Sequence, residues 1–379
     1  MRITGDWLER PATQSVLACL TEAGHQALLV GGCVRNALLG AQVADVDISS
    51  DARPETVTNL AEKAGFKVVP TGIDHGTVTV IASGVPHEIT TFRRDVETDG
   101  RRAVVAFSDS LHDDAARRDF TMNALYAQAD GTVLDPLGGL PDLQARRLRF
   151  VGEAETRIRE DYLRILRFFR FHAWYGDPSE GLDPEGLAAC AALSAGLETI
   201  SKERIGAEMR KLLAAPDPAP SVAAMAQAGV LRQILPGADP RALAPLVHLE
   251  DGLPARWQRR LAVLGGADVA EALRLSTAER RQMAQLAQAL SGPAAPAVLA
   301  WRMGAEGARD AVLAMAAMTG APTPQGWAAE VARGAAATFP VKAADLPHLS
   351  GPALGRKLKE LEQSWCDSVL RMSREQLLA

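Results

Sequence analysis

Leu28-Leu29-Val30-Gly31-Gly32-Cys33-Val34-Arg35-Asn36-Ala37-Leu38-Leu39-Gly40, followed by Asp45-Val46-Asp47-Ile48, is the stretch that decides the N-terminal fold of this 379-residue chain. Gln26–Val30 reads as a short apolar strand, Gly31-Gly32 as a tight turn and Val34–Leu39 as a helix. Backbone N–H groups at such a strand–turn–helix junction can meet an anion. Arg35, one turn into the helix, can reach back toward phosphate oxygens. A Gly-Gly pair also serves simply as a bend, so the turn alone leaves both readings open.

Asp45 and Asp47 narrow the choice. On a strand, residues i and i+2 project to one face, so the two carboxylates converge. They either close a solvent-facing strand end or share a cation, since like charges held together favour a cation between them. About ten residues after a Gly-Gly-x-x-Arg turn, the pattern favours Mg²⁺, which takes one or two carboxylates together with substrate phosphates. Glu88, in His87-Glu88-Ile89-Thr90-Thr91-Phe92-Arg93, shares a strand face with Thr90 and Phe92. It can act as a third carboxylate or pair with an arginine.

Outward from this stretch, the first 140 residues alternate between helical and strand periods. Helices are expected at 13–23 and 54–64. Strands are expected at Val46–Ile48, Lys67–Val69, Thr77–Ala82, His87–Thr91, Ala103–Phe107 and Leu125–Ala127, and a turn at Asp130-Gly131-Thr132. After Pro141 the strand signals stop. Helical periodicity continues through 141–146, 153–175, 184–195, 201–214 and 218–229 to 294–303, 307–318 and 352–376, with Gly/Pro punctuation between. The expected architecture is an α+β N-terminal head with a small mixed sheet (1–140), then an all-α neck (141–214) and an all-α body and tail (215–379).

Composition sets limits. With 47% hydrophobic and 23% charged residues the chain is globular, and at 5% aromatic its core should be mainly aliphatic. Cys19, Cys33, Cys190 and Cys366 are scattered, which excludes a disulfide framework or zinc ribbon. MRITGDWLER lacks the apolar run of a signal peptide, and no segment is apolar enough to span a bilayer. A cytoplasmic location, no membrane association and no obligate protein partner are expected. The net charge is −5, yet Arg146–Phe171 holds eight arginines against four acids, Glu153, Glu155, Glu160 and Asp161. That stripe is either a solvated helix face laced with ion pairs or a patch for phosphates.

On a helix beginning near Glu160, Asp161, Arg164 and Arg167 would share one face. On these residues alone the helix reads as structural; Asp offers acceptors and Arg donors, so the pair can also present an edge complementary to C and A, whose exocyclic amine sits beside a ring acceptor. G and U present the reverse pattern. Glu160 is the expected i, i+4 partner that orients Arg164.

These motifs resemble those of the class II tRNA nucleotidyltransferases, the CCA-adding enzymes and bacterial poly(A) polymerases of the polymerase-beta-like superfamily. The first motif is the opening stretch. Thr91-Phe92-Arg93-Arg94-Asp95 with Asp99-Gly100-Arg101-Arg102 resembles the second motif and a flexible loop, and Arg117-Arg118-Asp119-Phe120-Thr121-Met122-Asn123-Ala124 the third. Glu160–Phe171 is similar to the fourth, nucleotide-selecting motif, and Arg204–Leu213 to the fifth. Asn36 stands where the family usually has Asp, a change that keeps hydrogen-bonding capacity. The resemblance implies template-independent addition of C, C and A to the 3′ end of tRNA from CTP and ATP, with release of pyrophosphate. It implies Asp45 and Asp47 as Mg²⁺-binding catalytic residues. Gly31, Gly32 and Arg35 would grip the triphosphate, and Asp161 and Arg164 would read the base, with Arg118 and Arg167 helping to hold the nucleotide.

The alternative is a poly(A) polymerase or A-adding relative acting on RNA 3′ ends. That subgroup carries a basic run after the first motif. Phe66–Gly76 here holds only Lys67 ahead of His75, which favours tRNA. The loop from Arg93 to Arg102 looks complete, which favours CCA over CC-only addition. A metal-dependent phosphohydrolase would need an H…HD…D set. The single His-Asp dipeptide, His112-Asp113, is expected in a loop. The helical region beyond residue 214 should carry the RNA backbone, and Arg356, Lys357 and Lys359 at a helix start in the tail are either part of that contact or ordinary solvated cations.

Overall fold

Ala27–Val30 forms β1, and all four of its residues are buried, as expected of a strand with neighbours on both edges. The computed structural model describes residues 1–73, 76–99, 102–292 and 294–379, with backbone alone for 95–99 and 102–105. Gly100 and Arg101 of the expected loop, together with the side chains of Asp99 and Arg102, lie outside the described residues, as does His75.

Around β1 lie β2 (Asp47–Ser50), β3 (Lys67–Gly72), β4 (Thr77–Ala82), β5 (Val85–Thr91), β8 (Tyr126–Ala127) and β9 (Val133–Leu134), in the order β3-β4-β5-β2-β1-β8-β9. β2 and β5 run parallel, Asp47 opposite Glu88 and Ser49 opposite Thr90, and the other pairings are antiparallel. A separate hairpin pairs β6 (Arg93–Asp99) with β7 (Arg102–Phe107). The Pro11–Thr21 and Pro54–Lys63 helices, each with Pro in its first turn, bury Val16, Leu17, Leu20, Val57 and Ala61.

Packing divides the described chain into two units, Met1–Ser201 with Gln227–Gln233, and Lys202–Ala226 with Ile234–Ala379. In the first, the Leu163–Tyr175 helix buries Ile165, Leu166, Phe168, Phe169 and Phe171. Phe120 lies 5.0 Å from Phe150 and 5.2 Å from Phe171, centroid to centroid, and Phe150 stacks on Phe168 at 5.4 Å. The few aromatics are thus concentrated where this helix meets the sheet-bearing segment.

The second unit is helical among the described residues. The expected 294–303 and 307–318 helices lie within Pro296–Thr319 as two helices broken at Gly304, whose φ of 79° and ψ of 167° no regular helix adopts. The expected 352–376 helix stops at Asp367 and a short one resumes at Arg374. Gly206 lets the Lys202–Leu213 helix approach closely, since a Cβ there would sit 2.0 Å from the carbonyl oxygen of Leu273. Glu250 and Asp310 are buried with Arg259 and Arg260. Arg259 bonds both acids, at 2.6 and 3.1 Å, and Arg260 bonds Glu250 at 2.7 Å and the carbonyls of Leu213 and Ala215.

Candidate active site

Gly31 is the residue before the Gly32–Leu38 helix, with φ 67° and ψ −116°, a conformation that excludes most side chains. Its N–H donates to the carbonyl of Leu125 at 3.2 Å. A Cβ on Gly31 would come 3.5 Å from Nη1 of Arg118, so the turn and that guanidinium face each other.

Arg118 is aimed by groups far apart in the sequence. Its Nε donates to the Tyr126 hydroxyl at 2.9 Å, and its Nη2 to Asp114 at 3.0 Å and Ser49 at 3.1 Å. Asp114 is fully buried and also accepts from Arg117 at 2.7 Å and from Tyr126 at 2.7 Å. Burial alone would raise the Asp114 pKa, but Arg118 and Arg117 outweigh it and hold the carboxylate down at about 2. Burial likewise pushes Tyr126 well above the ordinary range, which keeps it a phenol that donates to Asp114 and accepts from Arg118. Ser49, Asp114 and Tyr126 were not foreseen. Asp114 belongs to a helix, Leu111–Ala116, capped by Ser110, where a loop was expected around His112-Asp113.

Asp47 opens β2 and is half-buried, whereas Asp45 precedes the strand and is exposed. The expected i, i+2 strand pair is therefore corrected: the strand begins only at Asp47. The charges still meet. Burial first, then Glu88 and Asp45, push Asp47 up to about 6, against a lowering pull from Arg118. Glu88 faces Asp47 across the parallel pair and makes no ion pair with a described arginine. Among the described residues no three His, Cys, Asp or Glu side chains form a ready-made metal cage. The crowded, all-oxygen set suits a hard cation completed by substrate phosphates.

Arg35 is held among protein acceptors behind the glycine turn. It is 6% exposed, with Nη1 on Asn123 at 2.5 Å, Nη2 on Asn36 at 2.9 Å and on the Tyr175 hydroxyl at 2.8 Å. Its donors fasten the glycine-turn helix to protein partners, and Nη2 lies 3.8 Å from where a Cβ on Gly32 would sit. Asn36 supplies the acceptor that an Asp would and donates to the carbonyl of Gln42 at 2.9 Å.

The expected continuous 153–175 helix is also corrected. One helix ends at Glu160 and the next starts at Leu163, with Asp161 extended at φ −155°. Asp161 Oδ1 accepts from the Leu163 N–H at 3.1 Å, as a capping residue does. Asp161 and Arg164 are thus neighbours across a helix start, not i, i+3 partners on one face. Arg164 Nη1 donates to Glu160 at 2.5 Å and to the Arg157 carbonyl at 2.9 Å, so Glu160 does hold it. Glu160 also pairs with Arg157. Arg167 donates to Asp119 at 2.8 and 2.5 Å, and Asp119 in turn accepts from Asn123 at 2.9 Å. Burial would raise Asp119, yet Arg167 leads the groups that bring it below the ordinary range.

A mixed sheet, a glycine turn and crowded carboxylates at the head of one strand define a nucleotidyltransferase head. Residues 27–149 match the family described as the poly A polymerase head domain, and 181–241 the one described as a probable RNA and SrmB-binding site of polymerase A. The CCA-adding enzyme of Geobacillus thermodenitrificans is 36% identical over 318 residues, covering 83% of this chain and 72% of its own. The human mitochondrial CCA tRNA nucleotidyltransferase 1 is 41% identical over 215 residues, 54% of this chain and 50% of its own. The Bacillus stearothermophilus CCA-adding enzyme, solved in complex with CTP, superposes with a TM-score of 0.75 at 30% identity, covering 97% of this chain and 95% of that one. The chain belongs to the class II family of CCA-adding enzymes and poly(A) polymerases. It spans about half the length of the human relative and of the Streptococcus pyogenes CCA-adding enzyme.

Proposed function

We propose that this protein adds C, C and A in turn to the 3′ end of tRNA, using CTP and ATP and releasing pyrophosphate. The observation that carries the reading is the juxtaposition at the head of β2, where Asp47 stands opposite Glu88 and feels Asp45 and Arg118, whose other end faces the Gly31 turn. A triphosphate needs a cationic and N–H-rich cradle beside carboxylates that can take a metal, and these residues bring both together.

Asp45 and Asp47 would hold Mg²⁺, with Glu88 within reach of the same charge field. When bound, the ion supplies Lewis-acid activation of the RNA 3′-hydroxyl and neutralises phosphate charge. The protein's own part is positioning. Arg118, locked by Asp114 and Tyr126, offers Nη1 toward the turn where phosphates would lie, at no reorganisation cost during reaction. Arg164 and Asp161, set at a helix start, offer a donor and an acceptor to the base edge. A head (1–140), a neck (141–214) and an RNA-binding body and tail (215–379) are the proposed division of labour, and no described helix is long and apolar enough to cross a membrane.

The test is incubation with tRNA ending at its discriminator base and each labelled nucleotide. Products ending in CCA are expected. Long A tails on any RNA would establish the poly(A) polymerase reading instead, and a single A on tRNA already ending in CC, without C addition, the A-adding one.

A further inference from the structure

Ser49 lies two residues beyond Asp47 on β2, and a strand puts residues i and i+2 on one face. It is fully buried and paired with Leu28 of β1 and Thr90 of β5, so strands on both sides hold its backbone in place. Its hydroxyl meets two groups of opposite charge, Arg118 Nη2 at 3.1 Å and Asp114 Oδ2 at 3.2 Å. A guanidinium only donates and a carboxylate only accepts, so the hydroxyl proton has one place to go. Ser49 accepts from Arg118 and donates to Asp114, whose pKa of about 2 keeps it ionised. The Tyr126 hydroxyl makes the same pair of bonds from β8, at 2.9 and 2.7 Å.

These bonds take up Nε and Nη2 of Arg118, and Nη1 has no hydrogen-bond partner among the described residues. Nη1 is also the nitrogen that faces the Gly31 turn, 3.5 Å from where a Cβ would sit. Of the two hydroxyls, Ser49 alone stands on the strand that carries Asp47. Two residues of strand advance about 6–7 Å, so β2 sets the spacing between a carboxylate and the anchor of a cation. The two charges feel each other, since Arg118 pulls the Asp47 pKa down against burial.

We infer that Ser49 is a positioning residue for the triphosphate, its hydroxyl holding Arg118 in register with Asp47 whatever base the nucleotide carries. The inference deepens the proposed function and rests on it, since it names what sets the place of the phosphates at that site. Ser49 acts through Arg118 and not by touching phosphate itself. Its loss should therefore fall alike on every ligand that offers a pyrophosphate group to Nη1.

The test is Ser49→Ala in the full chain, read first by binding without turnover. Kd values for CTP, ATP and inorganic pyrophosphate are measured by calorimetry with Mg²⁺ and no RNA, followed by KM for each nucleotide and for tRNA. Removing the hydroxyl should weaken all three ligands by a common factor of about three- to tenfold, with the tRNA KM within about twofold. Arg118 keeps Asp114 and Tyr126, so Tm should stay near wild type. Ser49→Thr restores the hydroxyl and should recover most of the affinity. If Ser49→Ala does not fold, Ser49→Cys, close in size but a weak donor and acceptor, carries the same expectation. Unchanged affinity for the three ligands in the folded variant overturns the inference. So does a loss confined to one nucleotide, or one matched by the tRNA KM and a lowered Tm, which marks a packing role. A wild-type protein that binds CTP and pyrophosphate without extending tRNA would overturn the proposed function, while the three affinities would still decide the role of Ser49.

Discussion

Nη2 of Arg35 donates to the hydroxyl of Tyr175 at 2.8 Å, and the guanidinium carbon lies 4.0 Å from the centre of the same ring. The glycine-turn helix and the last residue of the Leu163–Tyr175 helix are thereby joined, 140 residues apart in the chain. Asn36, Asn123 and Tyr175 surround Arg35 with acceptors, so this guanidinium is a buried fastener beside the glycine turn. Tyr175→Phe keeps the ring and removes one bond, so stability should fall by about 0.5–1.5 kcal/mol. Arg35→Ala should cost more than about 2 kcal/mol, and a double-mutant cycle in urea should return a coupling of about 1 kcal/mol. Zero coupling, with Arg35→Ala raising only the nucleotide KM, would return Arg35 to the phosphate.

Asp47→Ala and Asp45→Ala should each abolish nucleotide addition while leaving tRNA affinity and Tm close to wild type. Removing one of several crowded carboxylates relieves repulsion, so little folding energy is lost. Chelation of divalent ions should stop addition, and Mg²⁺ should restore it. Glu88→Gln separates two roles: a ligand role predicts a raised Mg²⁺ requirement, whereas a strand-surface role predicts unchanged titration with Mg²⁺.

Acid should loosen the head through Asp114. Its pKa lies at about 2 when folded against an ordinary 3.8, so the folded state binds the proton less readily than the unfolded chain. The resulting stabilisation, about 2 kcal/mol, is complete above pH 3.8 and is lost as pH falls toward 2. Asp114→Asn should flatten this part of the stability–pH curve. It should also lower activity at neutral pH, since Arg118 loses the partner that aims it. A variant with the wild-type acid limb would assign that limb to other carboxylates.

In the second unit, Glu250→Ala leaves Arg259 buried with Asp310 as its carboxylate and Arg260 buried with carbonyl oxygens alone. Breaking such a pair costs about 3–5 kcal/mol, far above a surface ion pair. Chemical denaturation should show it, and a loss below about 1 kcal/mol would mean that water reaches the guanidinium groups.

Legibility followed the range of each interaction. β4, with buried residues alternating along Thr77–Ala82, and the Pro54 helix start were readable because period and capping are local. The break at Asp161 was hidden because Ile158 and Leu163 keep an apolar spacing on both sides, while Asp161 ends the ladder with its own side chain. β6 escaped because a polar run, Arg93–Asp99, finds its order only by pairing with β7. At the site, the glycine turn and the Asp45-x-Asp47 pair were visible as a motif. The cradle that aims Arg118 was not, because Ser49, Asp114 and Tyr126 meet only in the folded chain.

In the proposed reaction, selection of the base would turn on how Glu160 and Asp161 hold the start of the Leu163–Tyr175 helix. Arg164 shares Glu160 with Arg157 and rests on the Arg157 carbonyl, so its orientation is set before any nucleotide enters. Glu160→Ala should therefore raise the KM for CTP and ATP together, by about tenfold for each charged hydrogen bond of roughly 1.5–3 kcal/mol that loses its geometry. Asp161→Ala removes an acceptor for the exocyclic amine shared by C and A, so discrimination against UTP and GTP should collapse. It also removes the cap on Leu163 N–H, and a loss of about 1 kcal/mol in stability should accompany it. Asp161→Asn keeps an acceptor for the cap but adds a competing amide donor, so it should restore much of the Tm without restoring selectivity. Measuring kcat/KM for all four nucleotides beside melting curves separates the two roles. If Asp161→Ala loses only stability and keeps its preference for CTP and ATP, Asp161 is a cap alone and the base is read by other groups.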